Sequence, residues 1–282
     1  MPVFHTQTDL KDYLGQKNTL HQSIGFVPTM GALHEGHLFL VKQALKENEF
    51  VVISIFVNPT QFNNAEDLKK YPRTLEADVN LVEQLSKDII VFAPSVEEIY
   101  NGSTIAQSFD YDGLEHEMEG VNRPGHFDGV GTIVKKLFEI VSPTHAYFGE
   151  KDFQQLQIVR KMVEKNHMNV EIVGCPIFRQ ADGLAMSSRN ALLSKEDQEY
   201  ATALYKILKK AQELFTTSSI DKVKEFVTEE IKKYPKFALE YFEIADEEFL
   251  KTATEKIEGK KYRGFIVAHI EGVRLIDNIA LN

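Results

Sequence analysis

The chain predicts an α/β fold: a Rossmann-like, doubly wound parallel sheet carrying a second, smaller α+β domain. Three observations predict it. From Ile24 to Val173, short β-rich apolar runs alternate with amphipathic stretches, as in a parallel sheet covered on both faces. The chemically informative residues fall just after those runs, at the strand carboxyl ends where open α/β sheets take their ligands. After Cys175-Pro176 the order changes to two helices followed by strands. The expected division is 1–176 and 177–282.

The first predicted strand, Ile24 to Thr29, runs into Pro28-Thr29-Met30-Gly31-Ala32-Leu33-His34-Glu35-Gly36-His37. Leu38, Phe39, Leu40, Val41, Ala44 and Leu45 then give a helix an apolar face, so a helix begins near the histidines. The first amides of a helix lack intrahelical partners and carry the positive end of its dipole, which favours an anion there. His34 and His37, three residues apart, share a face on which both could meet a nucleotide triphosphate. The same His-x-x-His pattern suits a polar surface or half of a metal site. Zinc is the weaker reading, because the chain has one cysteine and no second histidine pair of this kind.

A second strand, Phe50 to Val57, leads to Asn58-Pro59-Thr60-Gln61-Phe62, where proline stops the strand and frees the amides of Asn58 and Gln61 to point into a crevice. Amides both donate and accept, which suits a hydroxylated small acid; a capped loop explains the segment equally. A third strand covers Ile89 to Phe92. Arg123-Pro124-Gly125-His126-Phe127 reads as a loop before an apolar helix, Val130 to Val141, and its Arg123 and His126 either meet a substrate carboxylate or brace the loop.

The fourth strand, Ala146 to Phe148, is followed by Gly149-Glu150-Lys151-Asp152 and a helix that buries Leu156 and Val159. Lys151 thus sits at a second strand-to-helix turn, where an ammonium can reach phosphate oxygens, or is solvated and paired with Asp152. Of Gln154 and Gln155, one is expected to face solvent. Val170 to Val173 is the last strand of the first domain.

Beyond the junction, Gln180-Ala181-Asp182-Gly183 forms a turn and Met186-Ser187-Ser188-Arg189-Asn190 follows, a set of hydroxyls and a guanidinium able to grip a polyphosphate. A hinge or lid is expected there. Leu193 to Phe215 and Ile220 to Tyr234 read as helices, Phe237 to Ala245 and Gly264 to Ile276 as strands. Each motif is ambiguous alone, yet all fall at strand ends or the junction, where one crevice would collect them.

The 282 residues suffice for a substantial core, and the net charge of -10 lacks the basic footprint of a nucleic-acid binder. Neither a basic-then-apolar leader nor an apolar run of about 18 residues is present, so the expectation is a soluble, cytoplasmic protein without membrane partners. A single cysteine, Cys175, excludes an intramolecular disulfide.

Taken together, PTMGALHEGH, FVNPTQF, RPGHF, FGEKDFQQL and DGLAMSSRN, in that order from Pro28 to Asn190, resemble the pantothenate synthetase family. These ligases join pantoate to β-alanine with ATP and are related to class I aminoacyl-tRNA synthetases and nucleotidylyltransferases; His34-Glu35-Gly36-His37 resembles the HIGH signature, and Met186 to Arg189 stands for the second, mobile one. The resemblance implies an ATP site lined by Met30, Gly31, Ala32, Leu33, His34, Glu35, Gly36 and His37, by Gly149, Glu150, Lys151 and Asp152, by a backbone contact of Phe178 to adenine, and by Met186, Ser187, Ser188 and Arg189 closing over the nucleotide. It implies His34, His37 and Lys151 as catalytic, with His37 at the position usually assigned as proton donor. It implies Gln61 and Gln155 on pantoate, Gln61 also near β-alanine, Mg2+ accompanying ATP with Asp78 a candidate ligand, and a homodimer. The chain departs from the usual pattern at Gln180-Ala181, at Thr144-His145 and in the bulk of Phe178. The rival expectations are another adenylate-forming or nucleotidyl-transferring enzyme of that superfamily, or a silent nucleotide-sensing module.

Overall fold

A computed structural model describes residues 1–17 and 22–282. The chain divides into two compact units: Met1–Glu150 with Gln155–Pro176, and Ile177–Asn282 joined by Lys151–Gln154. The turn bearing Lys151 therefore groups with the second unit.

The first unit is built on six parallel strands, β1 (Val3–Phe4), β2 (Ile24–Thr29), β3 (Phe50–Ile55), β4 (Ile90–Phe92), β5 (His145–Gly149) and β6 (Glu171–Cys175), in the order β1-β4-β3-β2-β5-β6. The strand succession runs outward from β2 to β4 and then returns to place β5 on the other side of β2. The switch point thus lies between β2 and β5, and the segments after both strands are the site candidates. β5 pairs with β2 only at Gly25 and Phe26, so Pro28, which has no N–H to give, lies past that ladder.

Successive β2 side chains point to opposite faces. Phe26 meets Phe138 of the helix His126–Val141, while Val27 packs with Leu38 and Val41 of the helix Glu35–Glu47. Helices therefore cover both faces, as the predicted doubly wound fold requires. Near the sheet, Asn48 joins Tyr147 and His145: its Nδ2 donates to the Tyr147 hydroxyl at 2.7 Å, and its Oδ1 is 2.7 Å from His145 Nδ1. The unusual Thr144-His145 is thereby part of the scaffold; Thr144 Oγ1 accepts the Ile24 amide.

The second unit has three antiparallel strands, β7 (Ala238–Asp246), β8 (Tyr262–Ile270) and β9 (Val273–Ala280). Helices Ala203–Phe215 and Ile220–Ile231 pack on this sheet through Leu204, Ile207, Leu208, Val223 and Val227, against Ile244, Ile266 and Ala268. Three expectations are corrected here. The stretch Gly264 to Ile276 is two strands, because Glu271 (φ 48°) and Gly272 (φ 78°) form a two-residue hairpin turn. The stretch from Leu193 is two helices, Lys195–Ala201 capped by Ser194 and Ala203–Phe215. In the first unit, His126 and Phe127 belong to a helix rather than a loop, with Gly125 at φ 76° entering it.

Candidate active site

In the first unit, the loop after β2 is held from within. The Gly31 amide donates to Thr29 Oγ1 at 3.2 Å, Ala32 N to Asp78 Oδ2 at 3.0 Å and Leu33 N to Asp78 Oδ1 at 2.8 Å. His34 caps the following helix: its Nδ1 accepts the Gly36 amide at 3.1 Å, and its own amide donates to His37 Nδ1 at 3.3 Å. Of the helix-start amides, those of His34 and Gly36 are thereby taken up by the two imidazoles. Glu35 is exposed at the helix start.

This wiring fixes the imidazoles. The two rings stack with centroids 4.0 Å apart and an interplanar angle of 25°. A ring whose Nδ1 accepts an N–H carries its proton on Nε2, so both histidines are assigned the Nε2–H tautomer. Two parallel N–H donors on one face suit a polyanion without needing an imidazolium.

Gly31 (φ 82°) and Ala32 (φ 50°) are left-handed, and a Cβ on Gly31 would lie 3.0 Å from Asp78 Oδ2. Asp78 is buried, 3 % exposed, and also accepts from Thr74 Oγ1. Its carboxylate is the clamp of the loop. No group of three or more His, Cys, Asp or Glu side chains able to hold a metal occurs among the described residues. The chain thus builds no cage of such ligands for Mg2+ among those residues.

After β3, Asn58 is buried and committed to the protein. Its Nδ2 donates to Gly129 O and Gln61 Oε1, and its Oδ1 accepts from Tyr100 Oη at 2.6 Å and from Thr60. Burial pushes the Tyr100 phenol upward, keeping it a donor. Asn58 is thus a scaffold residue, contrary to the expectation that its amide points into a crevice. Gln61 remains placed beside Met30, with Nε2 3.1 Å from its sulfur. His126 Nδ1 lies 2.8 Å from Gln61 O and Arg123 donates to the same carbonyl, so both brace the loop. Gly129 permits this packing: a Cβ there would stand 2.3 Å from Thr60 O. Gln154 is buried and Gln155 half-buried, so neither is a freely exposed residue. Gly149 and Glu150 close β5, and the Cys175 thiol beside them is pushed up to about 11 by burial and by the Glu47 and Glu150 carboxylates.

In the second unit, Lys151 is 18 % exposed and its Nζ is 3.8 Å from the half-exposed Asp152 carboxylate, a pair too loose and wet to fix the ammonium. Arg179 and Ala185 form a β-bridge, and Gly183 (φ 96°) makes the turn of the small hairpin between them. The Phe178 carbonyl accepts the Met186 amide at 3.0 Å, and the exposed Ala181 lies at the hairpin tip. Ser187 Oγ caps a short 3-10 turn by accepting the Arg189 amide at 3.3 Å, which leaves its hydroxyl proton as a donor.

Missed by the sequence reading were the clamp role of Asp78, the packing role of Gly129, and the Arg179–Asp277 ion pair with Nη1–Oδ2 at 2.7 Å.

A parallel sheet with its switch point between β2 and β5, and helices on both faces, defines a Rossmann-like α/β protein. The signature of the family described as Pantoate-beta-alanine ligase matches residues 2–280. A pantothenate synthetase of Flavobacterium psychrophilum is 58% identical over 281 residues, covering 100% of both chains, and one of Bacteroides fragilis is 49% identical over 99% of this chain and 98% of its own. The crystal structure of pantothenate synthetase from Thermus thermophilus superposes with a TM-score of 0.91 at 41% identity, covering 100% of this chain and 99% of that one. Pantoate-beta-alanine ligase from Francisella tularensis, complexed with beta-gamma ATP and beta-alanine, has a TM-score of 0.80 at 35% identity, over 100% and 98%. The chain belongs to the pantoate–β-alanine ligase family.

Proposed function

We propose that this enzyme condenses (R)-pantoate with β-alanine at the expense of ATP, giving pantothenate, AMP and pyrophosphate through a pantoyl adenylate. The observation that carries the reading is the family match along the whole chain, together with a histidine pair pre-set as N–H donors.

A carboxylate resists attack by an amine, because its oxygen is a poor leaving group. In the first step a pantoate carboxylate oxygen bonds to the α-phosphorus of ATP and the bond to the β-phosphate oxygen breaks, releasing pyrophosphate. The β-alanine nitrogen then bonds to the acyl carbon, the bond to the adenylate oxygen breaks, and the amine loses its proton as AMP departs. Such chemistry needs alignment and stabilisation of charge on the phosphates.

His34 and His37 supply Nε2–H donors to phosphate oxygens, and His37 holds the departing pyrophosphate by a hydrogen bond from Nε2–H, stabilising the charge it carries away. Lys151 adds a point charge. Met30 to Leu33 form the wall whose shape Asp78 sets, with Gly149, Glu150 and Asp152 beside the reacting phosphates. Gln61 and Gln155 hold pantoate, and Gln61 also faces β-alanine. Phe178 offers backbone to adenine, while Met186, Ser187, Ser188 and Arg189 close on ATP as part of a lid. Mg2+ accompanying ATP would neutralise phosphate charge, with no cage of protein carboxylates among the described residues to hold it. The enzyme works in the cytoplasm as a homodimer, which sedimentation would check.

The test offers purified enzyme a panel of carboxylic acids with ATP and β-alanine and follows AMP and pyrophosphate. Of the acids, pantoate should give pyrophosphate, one equivalent per site without β-alanine, and AMP with continued turnover should appear only when β-alanine is present. Sustained turnover with another acid, or ATP binding without turnover, would replace the reading.

A further inference from the structure

Two adjacent buried residues of β9, Asp277 and Asn278, reach two different segments of the second unit. Asn278 is 2 % exposed, and its Nδ2 donates to the backbone carbonyl of Lys151 at 2.9 Å. Its Oδ1 accepts from Arg263 Nη1 at 2.7 Å. Arg263 is itself fixed by Glu247, at 2.8 Å, and by stacking with its guanidinium carbon 3.9 Å from the centre of the Phe153 ring. The turn that carries Lys151 is thus gripped through its backbone and through Phe153, while the charge of the lysine ammonium also reaches the Asp277 carboxylate.

Asp277, 5 % exposed, binds both terminal nitrogens of Arg179, at 2.7 and 2.8 Å. Arg179 also donates to Gly183 O at 3.2 Å and to Asn278 O at 3.3 Å, and its guanidinium lies 3.9 Å from the centre of the Tyr205 ring. The hairpin that leads directly into Met186–Arg189 is therefore tied to the residue next to Asn278. A bidentate, stacked arginine defines orientation as well as contact. No substrate chemistry in the reaction needs these buried groups; their common property is that each ends on a segment assigned to the phosphates.

We propose that Asp277 and Asn278 are positioning residues, which hold the Lys151 turn and the Met186–Arg189 segment in fixed register through a single strand. The proposal rests on the reading of those two segments as ATP contacts. Rigid support of a contacting group lowers the cost of organising it as the transition state forms.

The experiment is a double-mutant cycle on adenylate formation, measured in single turnover with ATP and pantoate, using Asn278→Asp, Lys151→Ala and both together. Asn278→Asp keeps the bond to Arg263 but sets an acceptor against the Lys151 carbonyl. It should slow adenylate formation about tenfold, equivalent to roughly 1.4 kcal/mol, leave the KM for β-alanine unchanged, and add nothing to Lys151→Ala. Asn278→Ala, which removes the bond without adding charge, carries the same cycle if the first variant does not fold. Asp277→Asn should raise the KM for ATP with that for pantoate unchanged. A wild-type rate in a folded Asn278 variant, or effects of Asn278→Asp and Lys151→Ala that multiply, overturns the proposal while leaving the role of Lys151 standing. A wild-type rate in Lys151→Ala overturns the reading of Lys151 beneath it.

Discussion

Asp78 holds Ala32 in a left-handed conformation: its Oδ2 accepts the Ala32 amide at 3.0 Å while φ at that alanine is 50°. Side chains disfavour that region, so the carboxylate offsets a local strain. The same carboxylate takes the next amide, which makes the loop's shape a property of the protein before any nucleotide arrives.

Replacing Asp78 by alanine should therefore cost about 2–4 kcal/mol of stability, from three bonds to the carboxylate, those of Ala32 N, Leu33 N and Thr74 Oγ1, and an orphaned pair of amides. It should also raise the KM for ATP. Denaturant unfolding and steady-state kinetics check both. Raising Mg2+ should not restore the variant; restoration by excess metal would make Asp78 a ligand instead.

His34 has two separable jobs, capping the helix Glu35–Glu47 and presenting Nε2–H. Asparagine is a good N-cap without that donor, so His34→Asn should keep near wild-type stability and lose adenylation, whereas His34→Ala should lose about 1 kcal/mol as well. Nitrogen-15 shifts of the imidazoles should show the Nε2–H tautomer in the free enzyme. Nδ1–H signals for His34 and His37 would refute the assignment.

Gly129 lies where a Cβ would stand 2.3 Å from Thr60 O. Gly129→Ala should push the Pro59–Gln61 turn away at a cost of roughly 1–3 kcal/mol. The KM for pantoate should rise while ATP binding, measured by calorimetry, stays within about twofold, equivalent to roughly 0.4 kcal/mol.

Cys175 is buried and its thiol pKa is raised to about 11. In the unfolded chain a thiol ionises near pH 8.5, so between there and pH 11 the unfolded state binds fewer protons and native stability falls as pH rises. Cys175→Ala should flatten that part of the decline, and the native thiol should resist alkylation at neutral pH. Rapid alkylation of the folded enzyme at pH 7 would contradict the assignment.

The local pattern of the sequence was enough to place β2 from Ile24 to Thr29, because a buried β-rich run there meets an abrupt glycine-bearing turn. It could not show β1, since Val3–Phe4 is two residues long and is a strand only through its pairing with β4. β8 and β9 merged in the reading because Glu271-Gly272 is not a common hairpin dipeptide. Pro124-Gly125 hid the start of the helix at His126. The candidate site follows the same division. The spacing of His34 and His37 put them on one face, as the stacked rings confirm. Asn58 and Gln61 looked equivalent, because only the fold shows that Tyr100 and Gly129 take up the Asn58 amide. The Asp78 clamp acts on residues more than forty positions away, which periodicity does not reach.

The central claim is that a pantoate oxygen attacks the α-phosphorus of ATP on this enzyme. Pantoate labelled with oxygen-18 in its carboxylate, turned over with ATP and β-alanine, tests it most directly by mass spectrometry of the products. One labelled oxygen should appear in each AMP and none in pyrophosphate. Label in inorganic phosphate, or unlabelled AMP at full turnover, would contradict the account.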